Sequence, residues 1–231
     1  MSLKRKPPVG NVRRVAAIGK NIRGTLTNKT GRIVQFESFA ERSLLLRLER
    51  DNRVADYASQ PETFEAGRNT PRYTPDFIVW KQDNRVEIHE VTRSERRTRE
   101  NQQCREQLAT RICQERGWQY IVHTEDALPQ GAELSNLLSL LRYRPHGYED
   151  AAILSAARSI LQNNHQMRLE TLTRLLVKAN ASPLSTVAAS LCHYLWHEQL
   201  ITNWQHPILS EATFSPQACV WLPNETMEID A

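Results

Sequence analysis

Residues 73–92 decide the fold of this chain, and they read Tyr73-Thr-Pro-Asp-Phe-Ile-Val-Trp80, Lys81-Gln-Asp-Asn-Arg85 and Val86-Glu-Ile-His-Glu-Val-Thr92. The outer segments are rich in β-branched and aromatic residues, and the middle one has the polar composition of a turn. The stretch therefore predicts two strands joined as a hairpin. Because side chains alternate between the faces of a strand, Ile88, Glu90 and Thr92 are expected on one face. Asp76 is then expected to converge with Glu90 across the hairpin.

Helical and strand patterns around the hairpin predict an α/β domain. Residues 36–50 have helical periodicity, and a long polar helix at 94–116 is followed by Gly117, a usual C-terminal cap. A third strand at 120–123 completes a strand, helix, strand order, which implies a right-handed crossover onto a parallel neighbour. With a last helix at 134–142, these elements predict a mixed sheet flanked by helices over residues 36–147.

The composition changes at Arg144-Pro-His-Gly147, where we place a domain boundary. Three helical patterns follow, at 150–163, 168–179 and 183–200, and then two short strands at 201–204 and 218–222. Three helices before a two-stranded ribbon predict a small winged-helix domain over residues 148–231.

Composition narrows the class of protein. The chain has 231 residues, 40% of them hydrophobic, which is enough for two modest globular domains. No apolar run approaches the roughly 20 residues of a membrane-spanning helix, and the first residues lack the apolar stretch of a secretory signal. We therefore expect a cytoplasmic protein without a membrane partner. Four irregularly spaced cysteines favour neither a disulfide framework nor a zinc site: Cys104, Cys113, Cys192 and Cys219.

Charge is distributed unevenly along the chain. Nine basic residues precede Glu37, the first acidic residue, so residues 1–35 form a basic arm that leads into the α/β domain. Such an arm is typical of phosphate contact with nucleic acid, and equally of a solvated terminus. Residues 145–231 carry four Lys and Arg against eight Asp and Glu, and residues 183–200 contain no Lys or Arg. A DNA-reading helix needs cations near phosphates, so this half favours a protein partner over DNA.

Asp76 and Glu90 are candidate metal ligands. Two carboxylates on adjacent strands suit a hard divalent cation such as Mg²⁺, which binds oxygen. The alternative is that both are ordinary charged residues of a half-exposed hairpin. Glu41 lies on the helical face of Leu44, Leu45 and Leu48, where a carboxylate needs a compensating partner. Metal ligation provides one, and a capping box with Ser38 provides another.

An ordered set of motifs resembles the TnsA family of transposon endonucleases over about residues 12–145. The matching segments are Arg23-Gly, Lys29-Thr-Gly-Arg-Ile-Val-Gln-Phe-Glu-Ser38, Glu41-Arg42, Ser59-Gln60-Pro61, Tyr73-Thr-Pro-Asp-Phe77, Glu90-Val91, Gly117-Trp118 and Asn136-Leu-Leu. One such motif alone is weak evidence, whereas the whole set in one order is specific.

The resemblance implies a restriction-endonuclease-like catalytic domain that cuts double-stranded DNA at the ends of bacterial transposons. It also implies a DDE-type transposase subunit as partner, and an AAA+ regulator bound through residues 148–231. By motif, Glu41, Asp76 and Glu90 would hold Mg²⁺ or Mn²⁺ as the catalytic carboxylates. The DNA-binding residues are then expected among the cations of the arm and its continuation: Arg13, Arg14, Lys20, Arg23, Lys29 and Arg32.

The chain departs from the family pattern at Thr92, where the family has a catalytic lysine. Threonine carries no charge to steady the developing negative charge on phosphate. Arg96, Arg97 or Arg99 on the following segment would supply charge, although arginine is a poor base. A second hypothesis is therefore a catalytically degenerate subunit that positions DNA and partners.

Four histidines complete the set of candidate ligands. His193 and His197 are four residues apart on one helix, as in metal-binding pairs, but no third ligand is evident in the sequence. Packing or partner contact is the expectation for this pair. His89 and His123 are interpreted as ordinary strand residues, with His89 close to the proposed site.

Overall fold

A computed structural model describes residues 22–65, 72–210 and 213–223. The chain forms two compact units, Met1–Leu128 and Pro129–Ala231. The division precedes the boundary that the sequence predicts at residue 147. The reason is Asn136, whose side chain donates to the carbonyls of Trp204 and His206 and accepts from the backbone of Ile208. These hydrogen bonds attach the helix at 131–140 to the second unit.

The first unit is an α/β domain with a mixed sheet flanked by helices, as predicted. Its strands and helices within the described residues are β1 (Gly24–Thr27), β2 (Ile33–Phe36), α1 (Phe39–Arg50), β3 (Val54–Ser59), β4 (Phe77–Lys81), β5 (Val86–Val91), α2 (Glu100–Arg116) and β6 (Gln119–His123). The main sheet has the order β3-β4-β5-β6, antiparallel up to β5 and parallel between β5 and β6. This architecture is consistent with a restriction-endonuclease-like fold. The predicted β4–β5 hairpin and the parallel crossover through α2 are confirmed.

The elements β4 and α2 begin later in the chain than predicted. β4 begins at Phe77 rather than Tyr73, because Pro75 has no N–H for the ladder. α2 begins at Glu100 rather than Ser94, because Ser94 is bound through its backbone and hydroxyl to the Glu125 carboxylate in a 3₁₀ turn. The expected cap at the other end of α2 is confirmed, with Gly117 at φ 68°. The pairs β1–β2 and β3–β4 add three strands that have no counterpart among the predicted elements.

Each face of the main sheet buries a separate apolar cluster. One cluster joins α1 and the β1–β2 hairpin to the face that carries Phe77 and Val79. The other joins α2 to the face that carries Ile78 and Ile88. Phe77, Ile78, Val79 and Ile88 are fully buried, and each contributes about 2 kcal/mol of transfer free energy. The sheet is therefore a rigid support, and its ends are where polar side chains emerge.

The second unit is mainly helical. Its elements within the described residues are α3 (Gly131–Leu140), α4 (Ala151–Asn164), β7 (Gln166–Arg168), α5 (Leu169–Asn180), α6 (Leu184–Trp196), β8 (Ile201–Thr202), β9 (Leu209–Ser210), β10 (Thr213–Phe214) and β11 (Cys219–Trp221). α4, α5, α6, β8 and β11 correspond to predicted elements, and β7 adds a third strand to give the antiparallel order β7-β11-β8. In the described part of the chain, no helix has the length and apolar character to span a membrane.

Candidate functional site

Asp76 and Glu90 lie side by side at one end of the main sheet. Phe77 of β4 faces His89 of β5 in the antiparallel register, so the preceding Asp76 lies next to Glu90. The nearby Glu90 charge adds to desolvation in raising the pKa of Asp76. The convergence expected from strand alternation is therefore present in the structure.

Neighbouring groups fix both carboxyls in place. The backbone N–H of Val91 donates to Asp76 Oδ2 at 2.8 Å, and the hydroxyl of buried Tyr73 donates to Glu90 Oε2. The Tyr120 hydroxyl lies 3.4 Å from that of Tyr73. The site is thus held by the sheet backbone on one side and by a tyrosine pair on the other.

Glu41 forms the capping box, one of the two roles that the sequence leaves open, and metal ligation by this residue stays a prediction. It accepts from the backbone N–H of Glu37 at 2.7 Å and from the Ser38 hydroxyl at 3.0 Å, while Ser38 Oγ accepts from the Glu41 N–H at 3.0 Å. The predicted cap of α1 is confirmed. The same carboxylate lies close enough to raise the pKa values of Asp76 and Glu90. Capping thus anchors a third negative charge beside the pair.

The electrostatics of the site favour an added positive charge. Desolvation, followed by the charges of Glu90 and Glu41, raises the pKa of Asp76 well above its ordinary value. Desolvation likewise raises the pKa of Glu90 to about 7, against the lowering effect of the Tyr73 hydrogen bond. Near neutral pH the metal-free site therefore retains a proton that an isolated carboxylate would lose.

The donor set fits a hard divalent cation in its chemistry. Carboxylate oxygens are the ligands that Mg²⁺ and Mn²⁺ prefer, and a cation relieves the repulsion that now holds a proton in the site. In the described ranges, no three or more His, Cys, Asp or Glu side chains are already arranged as a metal-binding group. The fit therefore rests on Asp76 and Glu90, with Glu41 as the neighbouring charge.

Thr92 follows β5 immediately after the carboxylates. Its backbone N–H donates to the His123 carbonyl at 3.0 Å, and its side chain is partly exposed. Lys81 ends β4 at the opposite end of the hairpin, where it pairs with Asp51 at 3.4 Å and Glu87 at 3.9 Å. It is therefore too far along the strand to replace the family lysine.

The arginines after Thr92 differ in whether they form ion pairs. Arg97 forms a two-point ion pair with Glu106 of α2, at 2.9 and 3.2 Å. Arg96 and Arg99 are exposed at the start of the crossover, and no ion pair holds either side chain within the described part of the molecule. A substitute for the missing charge would therefore come from this segment.

His89 and His123 lie on the face of the sheet opposite to the carboxylates. His89 contacts Glu87 through Nε2 at 3.0 Å and His123 through Nδ1 at 2.9 Å. Desolvation and the neighbouring His89 lower the pKa of His123 to about 4, so this histidine is neutral at pH 7. The two residues form a buried polar chain behind the site.

Two of the predicted DNA-binding cations already contact other groups of the fold. Lys29 Nζ donates to the carbonyls of Asp51 and Val54, and Arg32 pairs with Asp56 at 3.0 Å. Arg23 is partly buried just before β1. Arg13, Arg14 and Lys20 lie outside the described residues. DNA binding through these six residues stays a prediction.

His193 and His197 have a structural explanation in the second unit. Each donates a ring N–H to a backbone carbonyl, that of Tyr143 or Arg144, at 2.8 Å. Packing, one of the two roles expected for this pair from the sequence, accounts for both side chains.

The sequence did not predict a role in the site for two residues that the structure places beside the carboxylates. Tyr73 and Gln60 both belong to quoted motifs, but their contacts with Glu90 and Asp76 depend on pairings that the sequence does not specify. The isolated bridge between Phe64 and Tyr73 places the tyrosine. The Gln60 N–H donates to the Asp76 carbonyl at 2.7 Å, which continues the β3–β4 ladder.

The comparisons bear on this same sheet. Residues 51–125 match a family model described as "TnsA-like endonuclease N terminal", and this range contains β3 to β6 with Asp76, Glu90 and Thr92. A search of curated proteins finds no significant match to the chain. The family match confirms the resemblance to the TnsA endonucleases, and residues 51–125 are therefore assigned to a TnsA-like endonuclease N-terminal domain.

Proposed function

We propose that the protein is a TnsA-like endonuclease subunit that hydrolyses a DNA phosphodiester at transposon ends, with Mg²⁺ or Mn²⁺ bound by Glu41, Asp76 and Glu90. In this proposal it acts in complex with a DDE-type transposase on double-stranded DNA. The observation that carries the proposal is the strand register that places Asp76 next to Glu90, with the Glu41 charge close to both. The match to the endonuclease domain over residues 51–125, which include Asp76 and Glu90, supports it.

In the proposed reaction, different residues of the chain would bind the metal and contact the phosphate. When bound, a hard divalent cation supplies an activated water and neutralises charge on the scissile phosphate. Asp76 and Glu90 would hold it, since each is fixed by a hydrogen bond from outside the pair. Thr92 stands where the family has a lysine, so Arg96 or Arg99 would supply the remaining positive charge toward phosphate.

For the second unit we propose a winged-helix domain that binds the AAA+ regulator through residues 148–231. The order helix, strand, two helices and two further strands in one antiparallel sheet supports this fold. A groove of about 800 Å³ lies against α5, α6 and the β9–β10 pair, with Leu184, Ala188, Leu209 and Phe214 in its lining. Leu184 is 60% exposed, which suits contact with a protein partner better than contact with DNA.

The charge of the second unit gives a direct test. A fragment of residues 129–231 is expected to leave a fluorescent DNA duplex unbound at physiological salt, because α6 carries no Lys or Arg. Circular dichroism verifies that the fragment is folded, fluorescence anisotropy measures binding, and the full-length chain serves as comparison. Tight binding by the folded fragment would contradict the assignment.

Asp76→Asn tests the metal site. The amide keeps the shape of the carboxylate but removes its charge, so metal-dependent nicking in the reconstituted transposase assembly should fall by on the order of a hundredfold. The matched control is Asp83→Asn, in the exposed turn at the other end of the same hairpin. Identical products from the Asp76 variant and the unaltered chain would show that the site is wrongly assigned.

Glu90→Gln tests the electrostatics without DNA. Between pH 4.5 and about 7 the folded chain holds a proton on Glu90 that the unfolded chain has lost, so the free energy of unfolding falls as pH rises through this window. The variant lacks this dependence and should gain roughly 2 kcal/mol relative to the unaltered chain between pH 5 and pH 8. Urea unfolding in EDTA measures the difference.

Glu115→Gln, on the exposed face of α2, is the matched control and should show no such gain. Millimolar Mg²⁺ should stabilise the unaltered chain at pH 8 and leave the Glu90 variant nearly unaffected. A parallel pH profile for the variant and the unaltered chain would argue against a buried, proton-retaining carboxyl at Glu90.

Thr92 favours a second candidate function, a catalytically degenerate subunit that positions DNA and partners. The supporting observation is that the only lysine of β4 and β5 pairs with Asp51 and Glu87 at the far end of the hairpin. In this candidate the carboxylates persist as a fold-stabilising or metal-binding site without cleavage.

Thr92→Lys separates the two candidates. Thr92 is partly exposed beside the carboxylates, so a lysine is accommodated there, and an eroded nuclease should cut faster, by on the order of tenfold or more. Thr98→Lys on the exposed crossover adds the same charge away from the site and should leave the rate unchanged. Initial nicking rates on supercoiled plasmid with the transposase partner measure the effect. No cleavage by either protein would favour the positioning subunit.

A further inference from the structure

Gln60 combines three features that ordinary packing does not explain. Its backbone is in the left-handed region, at φ 44°, although the residue has a side chain and precedes Pro61. The residue is buried, with 8% of its surface exposed. Its amide oxygen Oε1 is enclosed and has no hydrogen-bond partner within the described residues. Left-handed backbone costs on the order of 1–3 kcal/mol, and an unpaired buried acceptor costs a similar amount.

The position of Gln60 in the sheet connects these costs to the candidate site. Ser59 of β3 faces Phe77 of β4, so Gln60 is the cross-strand neighbour of Asp76. The Gln60 N–H donates to the Asp76 carbonyl at 2.7 Å. Gln60, Asp76 and Glu90 therefore occupy consecutive places in one row across β3, β4 and β5.

We propose that Gln60 belongs to the metal site as a neutral oxygen donor toward the cation bound by Asp76 and Glu90. The inference rests on the proposed function, since it presumes a cation at that pair. An amide oxygen suits this place chemically, because it adds a ligand for a hard cation without adding a charge beside three carboxylates. Residues held in sparsely populated backbone regions cluster at ligand sites, where the bound state compensates the strain.

The unpaired oxygen gives the proposal its physical reason. Within the described residues, Oε1 is a buried acceptor with no donor. A cation held by the neighbouring carboxylates would attract this amide oxygen and so compensate for its lost hydration. If Gln60 served only for packing, an apolar residue of similar shape would replace it without loss of folding stability.

Metal affinity of the full-length chain without DNA tests the proposal, with Mn²⁺ as the probe and free Mn²⁺ followed by electron paramagnetic resonance. Gln60→Gly removes the oxygen and the backbone strain together, so the variant should be at least as stable as the unaltered chain. It should bind Mn²⁺ about tenfold more weakly or worse. Gln60→Glu should restore affinity and lower metal-free stability, because it places a fourth carboxylate in the cluster.

The control is Asn84→Gly, which removes a side chain at another positive φ of 66°, in the turn at the far end of the β4–β5 hairpin. It should leave Mn²⁺ affinity unchanged.

If Gln60→Gly does not fold, Gln60→Met keeps the volume and removes the oxygen, with the same loss of affinity expected. Asp76→Asn in the same assay separates the two proposals, since its unchanged affinity would refute the metal site itself. Unchanged Mn²⁺ affinity in Gln60→Gly or Gln60→Met, with affinity lost in Asp76→Asn, would overturn the role of Gln60 alone.

Discussion

The close approach of two carboxyl groups, Asp76 and Glu90, is the constraint around which the first unit is organised. Two neighbouring carboxylates in a desolvated place are unfavourable when both are charged, and the pKa values of both are raised. The fold keeps them together because neither can move away. Asp76 is tied to the Val91 N–H, and Glu90 to the Tyr73 hydroxyl. The sheet thus retains an arrangement that lowers its own stability near neutral pH.

The surrounding elements supply the rigidity that this arrangement requires. Both sheet faces are covered by apolar clusters, so β4 and β5 cannot slide without exposing buried residues such as Phe77 and Ile88. The cap of α1 adds to this rigidity. The Glu41 carboxylate accepts hydrogen bonds at the start of the helix, which fixes a third negative charge beside the pair. A single side chain therefore contributes to helix stability and to the field of the site.

The sequence predicted those parts of the fold and site that depend on local pattern. The β4–β5 hairpin follows from composition and alternation, the α1 cap from Ser38 and Glu41, and the end of α2 from Gly117. Contacts between distant segments carry no such local signal. The strands β1 to β3 are short and partly polar, and Lys29 and Arg32 are engaged by residues that follow more than twenty positions later. The role of Gln60 likewise depends on strand pairing and on a backbone angle that no composition reveals.

The balance of negative and positive charge at the site also explains why the missing lysine matters. Among the residues that the structure describes, Lys81 does not face the negative charge of Glu41, Asp76 and Glu90, because Asp51 and Glu87 hold it at the opposite end of the hairpin. A site with less positive charge of its own depends more strongly on the bound cation for neutralisation. Each additional neutral oxygen then becomes more valuable, because it strengthens cation binding without deepening the repulsion. The proposed role of Gln60 as a neutral oxygen donor therefore fits a site in which Thr92 stands where the family has a lysine.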